Sequence, residues 1–253
     1  MKLSKGRMLH VYIVKLVFRI LVFGLVIWAY LTRPQYFDLI FSAEILPGHS
    51  MPAGAWGFLG IWALLMAGMV LHMMPSNWSL TMGSKKEFAD YYQPVQGYDE
   101  LAMYRYVQKN NISAIWVLLA WLSANAIFGA LYVWNIIGFR ELILLSVFYY
   151  VCDLICVVIW CPFQQFFIKN KCCVNCRIFN WGHFMMFTPL LFIRNFFTWS
   201  LFFTSIVVML RWEITLLKHP ERFWEGSNAT LTCASCQEQI CRIKGRKFTD
   251  KTR

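Results

Sequence analysis

Five long apolar runs, separated by shorter polar segments, make up most of the chain. An α-helix rises about 1.5 Å per residue, so roughly 20 consecutive apolar residues cross the hydrocarbon core of a bilayer. The first four runs are close to this length or longer, and each therefore predicts a transmembrane helix. The five runs lie at residues 9–31, 55–74, 112–137, 142–160 and 184–217.

The fifth run differs from the others because a proline and polar residues interrupt it. Pro189 lies near its start, and Arg194 and Asn195 divide the run into parts that are each short for a full span. Backbone at membrane depth that is not a regular spanning helix has to be covered by protein. These interruptions favour a broken or re-entrant element, with a single tilted helix as the alternative.

The whole pattern predicts an all-α integral membrane protein. Residues 1–217 form a multi-pass helical bundle with about four clear transmembrane helices and the broken fifth element, and residues 218–253 form a small, basic, cysteine-containing tail. The composition agrees, with 58% hydrophobic residues, 15% charged residues and a mean hydropathy of +0.49. No large soluble catalytic domain fits into the remaining loops.

The segments between the runs carry two further local patterns. Residues 98–109 predict an amphipathic helix on the membrane surface, because basic and tyrosine side chains alternate with apolar ones there. The short connector at 138–141 predicts that the third and fourth spans form an antiparallel hairpin. The sequence has no Walker A loop, HExxH motif, GxSxG elbow or Rossmann fingerprint, so it leaves open whether the chain is an enzyme.

Basic residues concentrate on one side of the predicted bundle, and the formal net charge is +11. Basic residues that flank apolar spans favour the cytoplasmic side and contact anionic lipid headgroups. If the fifth element returns to the side on which it began, only Arg33 and Arg140 lie on the opposite side. The charges thus predict a multi-pass protein of the cell membrane whose N-terminus and C-terminal tail are cytoplasmic. The predicted partners are the lipid bilayer and a membrane or peripheral protein, and not nucleic acid.

Two cysteine clusters bracket the fifth run, and each contains a CxxC pair. Two such pairs supply the four thiolates that a tetrahedral zinc site or an iron–sulfur cluster requires. The two metals are close to evenly favoured: a third cysteine in each cluster favours iron–sulfur, whereas the ferredoxin cysteine run is absent. The predicted ligands are Cys173, Cys176, Cys233 and Cys236, with Cys172 and Cys241 as possible additional ligands.

The fourth span contains a carboxylate, Asp153, whose burial in a membrane has to be compensated. It could act in a proton relay, or it could form an ion pair that fixes helix packing. For the ion pair, Arg194 is preferred over Arg19 because only a short segment separates the fourth span from the last run. This segment is called the cysteine loop because it contains Cys172, Cys173 and Cys176. Arg19 and Lys15 lie on one helical face, which favours an interfacial position for them, with a partner carboxylate inside the bundle as the alternative.

The same span carries thiols on both sides of Asp153. Cys152, Cys156 and Cys161 are possible redox thiols that could pass electrons to a quinone. Haem is not favoured, because the histidines lie at the ends of spans and no pair of them is predicted to face across helices at mid-span.

These patterns lead to three functional hypotheses. The first is the membrane subunit of an electron-transfer assembly with a cytoplasmic iron–sulfur centre. The second is a non-enzymatic membrane anchor or scaffold in which a structural zinc ion ties the tail to the loop before the last run. The third is a membrane thiol–disulfide oxidoreductase.

Overall fold

The computed structural model describes residues 7–35, 37–38, 53–75, 82–170 and 172–236, and this part of the chain is helical. The only β-type pairing in it is an isolated antiparallel bridge between Pro94 and Asn228. The α-helices are α1 (Arg7–Thr32), α2 (Ala53–His72), α3 (Met82–Lys85), α4 (Glu100–Val133), α5 (Phe139–Val158), α6 (Gly182–Phe187) and α7 (Phe196–Lys218). A π-helical turn covers Phe163–Ile168, and 3₁₀ turns cover Ala89–Tyr91, Phe179–Trp181, Thr188–Phe192, Pro220–Phe223 and Ala229–Leu231.

Four of the described helices are long and apolar enough to cross a membrane, namely α1, α4, α5 and α7. Helix α2 is also apolar and is 20 residues long. For the described residues, the predicted all-α architecture with about four helices that could span a membrane is therefore confirmed. Helix α7, at 23 residues, is longer than the short part predicted for the last run.

Helix α4 is one continuous helix of 34 residues, which corrects the predicted surface helix at 98–109 followed by a separate span. The Asp99 side chain caps its N-terminus by accepting hydrogen bonds from the amides of Leu101 and Ala102, at 2.9 and 3.1 Å. At about 1.5 Å per residue the helix is roughly 51 Å long, well beyond a hydrocarbon core of about 30 Å.

Helices α1 and α5 are antiparallel and pack along their lengths. The Tyr30 hydroxyl near the end of α1 donates to Glu141 at the start of α5, at 2.6 Å. Arg140, next to Glu141, forms an ion pair with Asp38 just after α1, at 2.6 Å. These contacts lie at the end of the bundle opposite to the cysteine loop.

Helices α4 and α5 are joined by a tight connector but do not form a simple packed hairpin. The Trp121 ring of α4 contacts the Tyr149 ring of α5, with the ring centroids 4.6 Å apart. Closer to the connector, the 3₁₀ turn Thr188–Phe192 packs against both helices. A Cβ atom added at Gly129 of α4 would lie 2.3 Å from the Phe192 ring, so the glycine permits this close approach.

The last apolar run consists of two legs. The first leg, α6 and the following 3₁₀ turn, starts at the cysteine loop and ends beside Gly129 near the opposite end of α4. The chain turns at residues 193–195, and α7 returns alongside α2, with the Trp62 indole donating to the Ser200 hydroxyl at 2.9 Å.

The segment after α7 returns to the cysteine loop. The carboxamide of Asn175 in that loop donates to the Glu225 carboxylate at 2.9 Å, and Phe223 packs in the same apolar cluster as Cys176 and Trp212. The cysteine loop and the start of the tail therefore lie at the same end of the bundle, which is called the cysteine end below.

We expect Gly129→Ala to destabilise the protein by about 1–3 kcal/mol, because the added methyl group forces the Phe192 ring out of its packed position. Gly60→Ala in α2 is the matched control, since a Cβ atom there meets nothing within 4 Å. Thermal unfolding of both variants in detergent measures the difference, and equal melting temperatures would show that the close approach is unimportant.

Candidate functional site

Asp153 is paired with Arg19 of α1, at 2.7 Å between Nη1 and Oδ2. The same guanidinium donates to the backbone oxygen of Tyr150 at 2.6 Å and lies 4.0 Å from the centroid of the Tyr150 ring. The preference for Arg194 is wrong: Arg194 is exposed and lies in the turn at 193–195, far from the cysteine end. For Arg19, the favoured interfacial position is wrong and the alternative, a partner carboxylate inside the bundle, is confirmed, because α1 continues as one helix and turns this residue towards α5.

The start of α6 is pressed against Asp153. A Cβ atom added at Gly182 would lie 2.5 Å from Asp153 Oδ1, so no larger residue fits there without displacing the carboxylate. The next residue, His183, stacks edge-on against His72 at the end of α2, with ring centroids 5.4 Å apart. The sequence placed these histidines at span ends on one side but did not predict that they are in contact.

A cavity of about 320 Å³ lies beside Asp153, bounded by α4, α5, the π-helical turn, the cysteine loop and α6. Most of its lining is apolar, including the rings of Trp121, Tyr149 and Phe163. Its lining also includes five thiols, two from within α5, one from just after it and two from the cysteine loop: Cys152, Cys156, Cys161, Cys173 and Cys176. From the sequence, the thiols of the fourth span and those of the cysteine loop were predicted as separate groups. In the structure, both groups line the same cavity.

Hydrogen bonds connect the thiols around this cavity. Cys156 and Cys161 are hydrogen-bonded to each other. The buried Gln164 links the two groups of thiols. Its backbone N–H donates to Cys161 Sγ at 3.4 Å, and its side-chain oxygen accepts a hydrogen bond from Cys173 Sγ at 3.6 Å. In the loop, the amide of Cys176 donates to the Cys173 oxygen at 2.9 Å, which closes the turn between the two cysteines.

Lys86 is fully buried and binds the backbone of the cysteine loop. Its ammonium group donates to the backbone oxygens of Val174 and Cys176 at 2.9 and 3.0 Å and lies 5.0 Å from the Trp212 ring. Burial raises the pKa of the Cys176 thiol to about 12, although Lys86 acts in the opposite direction. Nothing local in the sequence marks Lys86 as buried.

A second ion pair holds the cysteine loop against α7. Arg177 binds the Glu213 carboxylate of α7 with two nitrogens and donates to the Asn111 oxygen of α4 at 2.9 Å. The Trp181 indole donates to the same carboxylate at 2.7 Å. The cysteine loop is therefore tied to two long helices by charge-assisted hydrogen bonds.

A third charged group, Glu87, lies almost fully buried near the histidines. Asn180 donates to its Oε2 atom at 3.1 Å, Arg211 of α7 approaches its Oε1 atom to 2.8 Å, and the Ser84 hydroxyl donates to Asn180 at 2.7 Å. Burial raises the pKa of Glu87 from 4.5 to about 7, although Arg211 and Asn180 act in the opposite direction. This carboxyl group therefore exchanges its proton near neutral pH.

The tail cysteines lie outside the lining of the cavity. Cys233 is exposed, Cys236 is partly exposed, and Cys241 lies outside the described residues. Within the described ranges, no three His, Cys, Asp or Glu side chains are grouped closely enough to hold a metal ion. The shared centre of Cys173, Cys176, Cys233 and Cys236, with iron–sulfur or zinc, stays a prediction.

Comparisons with protein-family models, with curated proteins and with solved structures find no match for this chain.

We expect Arg19→Leu alone to destabilise the bundle more than the double variant Arg19→Leu with Asp153→Asn. Removing one partner of a buried pair leaves an uncompensated charge, at a cost of about 3–5 kcal/mol, whereas removing both does not. Unfolding of the two single variants and the double variant in detergent measures the coupling. Arg194→Leu is the control, and coupling of that variant to Asp153→Asn, in place of Arg19→Leu, would contradict the observed pairing.

We expect the contribution of Glu87 to stability to fall as the pH rises from about 5 to 7, so that the wild-type chain loses stability relative to Glu87→Gln over this range. The folded protein retains the Glu87 proton up to a pKa of about 7, whereas the unfolded chain releases it near 4.5. Between these values the folded state binds more protons, so the free energy of unfolding decreases with increasing pH. Melting temperatures across this range test the prediction against Glu100→Gln, which removes an exposed carboxylate. Equal slopes for Glu87→Gln and the wild-type chain would refute it.

Proposed function

We propose that this chain is a membrane thiol–disulfide oxidoreductase that passes two electrons from protein thiols to a lipid-soluble quinone. The observation that carries the proposal is the gathering of five thiols around one largely apolar cavity. Of the three hypotheses drawn from the sequence, this one uses the intramembrane and loop cysteines together.

The proposed reaction at the inner pair is a two-electron oxidation. The S–H bonds of Cys156 and Cys161 break and an S–S bond forms between them, while a quinone takes up two electrons and two protons and becomes a quinol. Their hydrogen bond already brings the two sulfur atoms together.

The outer pair, Cys173 and Cys176, supplies the electrons by thiol–disulfide exchange. A thiolate of the outer pair attacks the Cys156–Cys161 disulfide, a mixed disulfide forms, and the second thiolate resolves it, so that the disulfide moves to the outer pair. A protein dithiol outside the bundle then reduces the outer pair by the same two steps. Gln164, which contacts both Cys161 and Cys173, lies between the pairs and orients their sulfur atoms.

The cavity suits a quinone ring better than a water-soluble substrate. Its volume of about 320 Å³ is at the lower end of small-molecule pockets, which measure roughly 300–1,000 Å³ and are mostly apolar with few polar groups. Aromatic side chains line it from α4 and α5, two helices that are long and apolar enough to cross a membrane. An apolar tail on the ligand can therefore remain in the lipid.

The charge distribution favours a cytoplasmic position for the cysteine end and for both termini in a cell membrane. The described basic residues of the loop before α4, of the cysteine loop and of the tail up to residue 236 belong to this end. In this orientation the two legs of the last apolar run form a re-entrant element, and the thiol donor is a cytoplasmic protein that docks at the cysteine end.

The cysteine-ligated metal centre is the second candidate function, either as an iron–sulfur electron-transfer subunit or as a structural zinc site in a scaffold. The closed turn between Cys173 and Cys176 favours it, since such a turn directs two sulfur atoms to one ion. Measurement of iron, zinc and acid-labile sulfide in chain purified without added metal tests this candidate.

We expect the reduced protein in lipid nanodiscs to convert a soluble quinone analogue such as decyl-ubiquinone to the quinol, with formation of the Cys156–Cys161 disulfide. Ultraviolet absorbance follows the quinone, and mass spectrometry after alkylation identifies the disulfide. Cys156→Ser and Cys161→Ser abolish the reaction. Cys173→Ser retains the first turnover but loses turnover with dithiothreitol as the thiol donor.

Cys233→Ser is the matched control, because it removes a thiol outside the cavity and retains both reactions. A reduced wild-type protein that quinone does not oxidise would refute the proposal. So would full activity of the Cys156→Ser and Cys161→Ser variants.

A further inference from the structure

The thiol cavity is covered on one side and exposed on another. Four of its lining residues, which belong to the π-helical turn and the cysteine loop, are buried: Gln164, Cys173, Cys176 and Ile178. Two others, Phe148 of α5 and Trp160 just after this helix, are 45% and 50% exposed. Protein therefore separates the cavity from the cysteine end, and the exposed side of the cavity lies along α5.

The exposed side follows one face of α5. Phe148, Cys152 and Ile155 all line the cavity, and positions i, i+4 and i+7 lie on the same face of an α-helix. These three residues are called the α5 strip. Phe148 is exposed, whereas Cys152 and Ile155 are half-buried. The strip therefore belongs both to the outer surface of α5 and to the wall of the cavity.

The neighbouring helices pack against other faces of α5. Helix α1 contacts a face whose buried residues are Val151, Leu154 and Val158. On the other side, the Trp121 ring of α4 packs against Tyr149. The Phe23 ring of α1 borders the strip, with its centroid 5.9 Å from that of Phe148. The α5 strip therefore faces outwards between α1 and α4.

The strip begins halfway along a helix that is long and apolar enough to cross a membrane. Phe148 is the tenth of the 20 residues of α5. An exposed apolar side chain at the middle of a spanning helix meets the hydrocarbon of the bilayer. Trp160 lies beyond the end of α5, and indole rings favour the membrane–water interface. An opening on this side therefore extends from the interface to about the centre of the bilayer.

We propose that the thiol cavity opens sideways into the bilayer along the α5 strip, and that the quinone enters and leaves through this opening. The ring lies beside Cys156 and Cys161, which line the cavity, and the tail passes Phe148 towards the centre of the bilayer. This inference rests on the proposed function for the identity of the ligand, whereas the opening itself rests on packing and exposure.

The size of the cavity calls for an outlet for the tail. Its volume of about 320 Å³ is at the lower end of small-molecule pockets. A quinone ring fits into such a space, but a long apolar tail does not fit there with it. The outer thiol pair, Cys173 and Cys176, lies in the wall towards the cysteine end. The quinone and the external thiol donor therefore approach the cysteines from opposite sides.

The first test measures binding without the redox reaction. Decyl-ubiquinol is already reduced and does not oxidise thiols, so a derivative with a diazirine at the end of its tail reports the position of the tail alone. Illumination of this probe with the protein in nanodiscs attaches it to nearby residues, which mass spectrometry identifies. We expect attachment to the α5 strip, and loss of this attachment when unmodified decyl-ubiquinol is added in excess.

Two matched substitutions locate the opening. Phe148→Trp lowers attachment to Cys152 and Ile155 by about tenfold, because entry then requires displacement of a closely packed larger ring. Phe203→Trp makes the same change at an exposed position of α7 outside the cavity lining, and leaves this attachment unchanged. Equal attachment in the two variants overturns the lateral opening. Attachment that excess decyl-ubiquinol does not displace also overturns it, because bilayer lipid then occupies the strip.

Quinone reduction separates this inference from the proposed function. We expect Phe148→Trp to raise the KM for decyl-ubiquinone relative to Phe203→Trp. If decyl-ubiquinol displaces the probe but the reduced protein does not reduce decyl-ubiquinone, the oxidoreductase function is refuted and the opening for a lipid-soluble ligand stands. If decyl-ubiquinone is reduced with the same KM in both variants, the lateral opening is overturned and the oxidoreductase function stands.

Discussion

The position of the cysteine loop depends on one ion pair, between Arg177 of the loop and Glu213 of α7. The loop has no regular secondary structure of its own between residue 172 and the turn that begins at Phe179. Its conformation therefore has to be fixed by side chains that contact neighbouring helices. Arg177 provides two bonds to α7 and one to α4, and the buried ammonium of Lys86 holds two backbone oxygens from the other side. Without these contacts Cys173 and Cys176 would not remain beside the thiols of α5.

The helices themselves could be predicted from the sequence, because the length of an apolar run directly reflects the thickness of a bilayer. The break in the last run could also be predicted, since Pro189 and the polar pair at 194–195 cannot continue an apolar spanning helix. The partner of Asp153 could not be predicted in this way. Distance along the chain favoured Arg194, but the turn at 193–195 carries that residue to the far end of the bundle, and the rotation of α1 presents Arg19 instead.

The same limit applies to the candidate site. The CxxC spacing marked Cys173 and Cys176 as chemically important, and the span cysteines were recognised as possible redox thiols. Their shared cavity depends on the π-helical turn after α5 and on Gln164, a residue with no local signal in the sequence. Lys86 and Glu87 were equally hidden, because adjacent charges in a loop are usually solvated. Their burial results from the packing of α7 and the tail over the loop before α4, which involves residues more than 100 positions apart in the chain.

At Gly182, helices α6 and α5 are packed in close contact. Asp153 already contacts the backbone of α6 so closely that a single methyl group would overlap with its carboxylate. The carboxylate is in turn held by Arg19, and Arg19 belongs to the first helix. Helices α6, α5 and α1 therefore meet at one carboxylate, which contacts a backbone on one side and a guanidinium on the other.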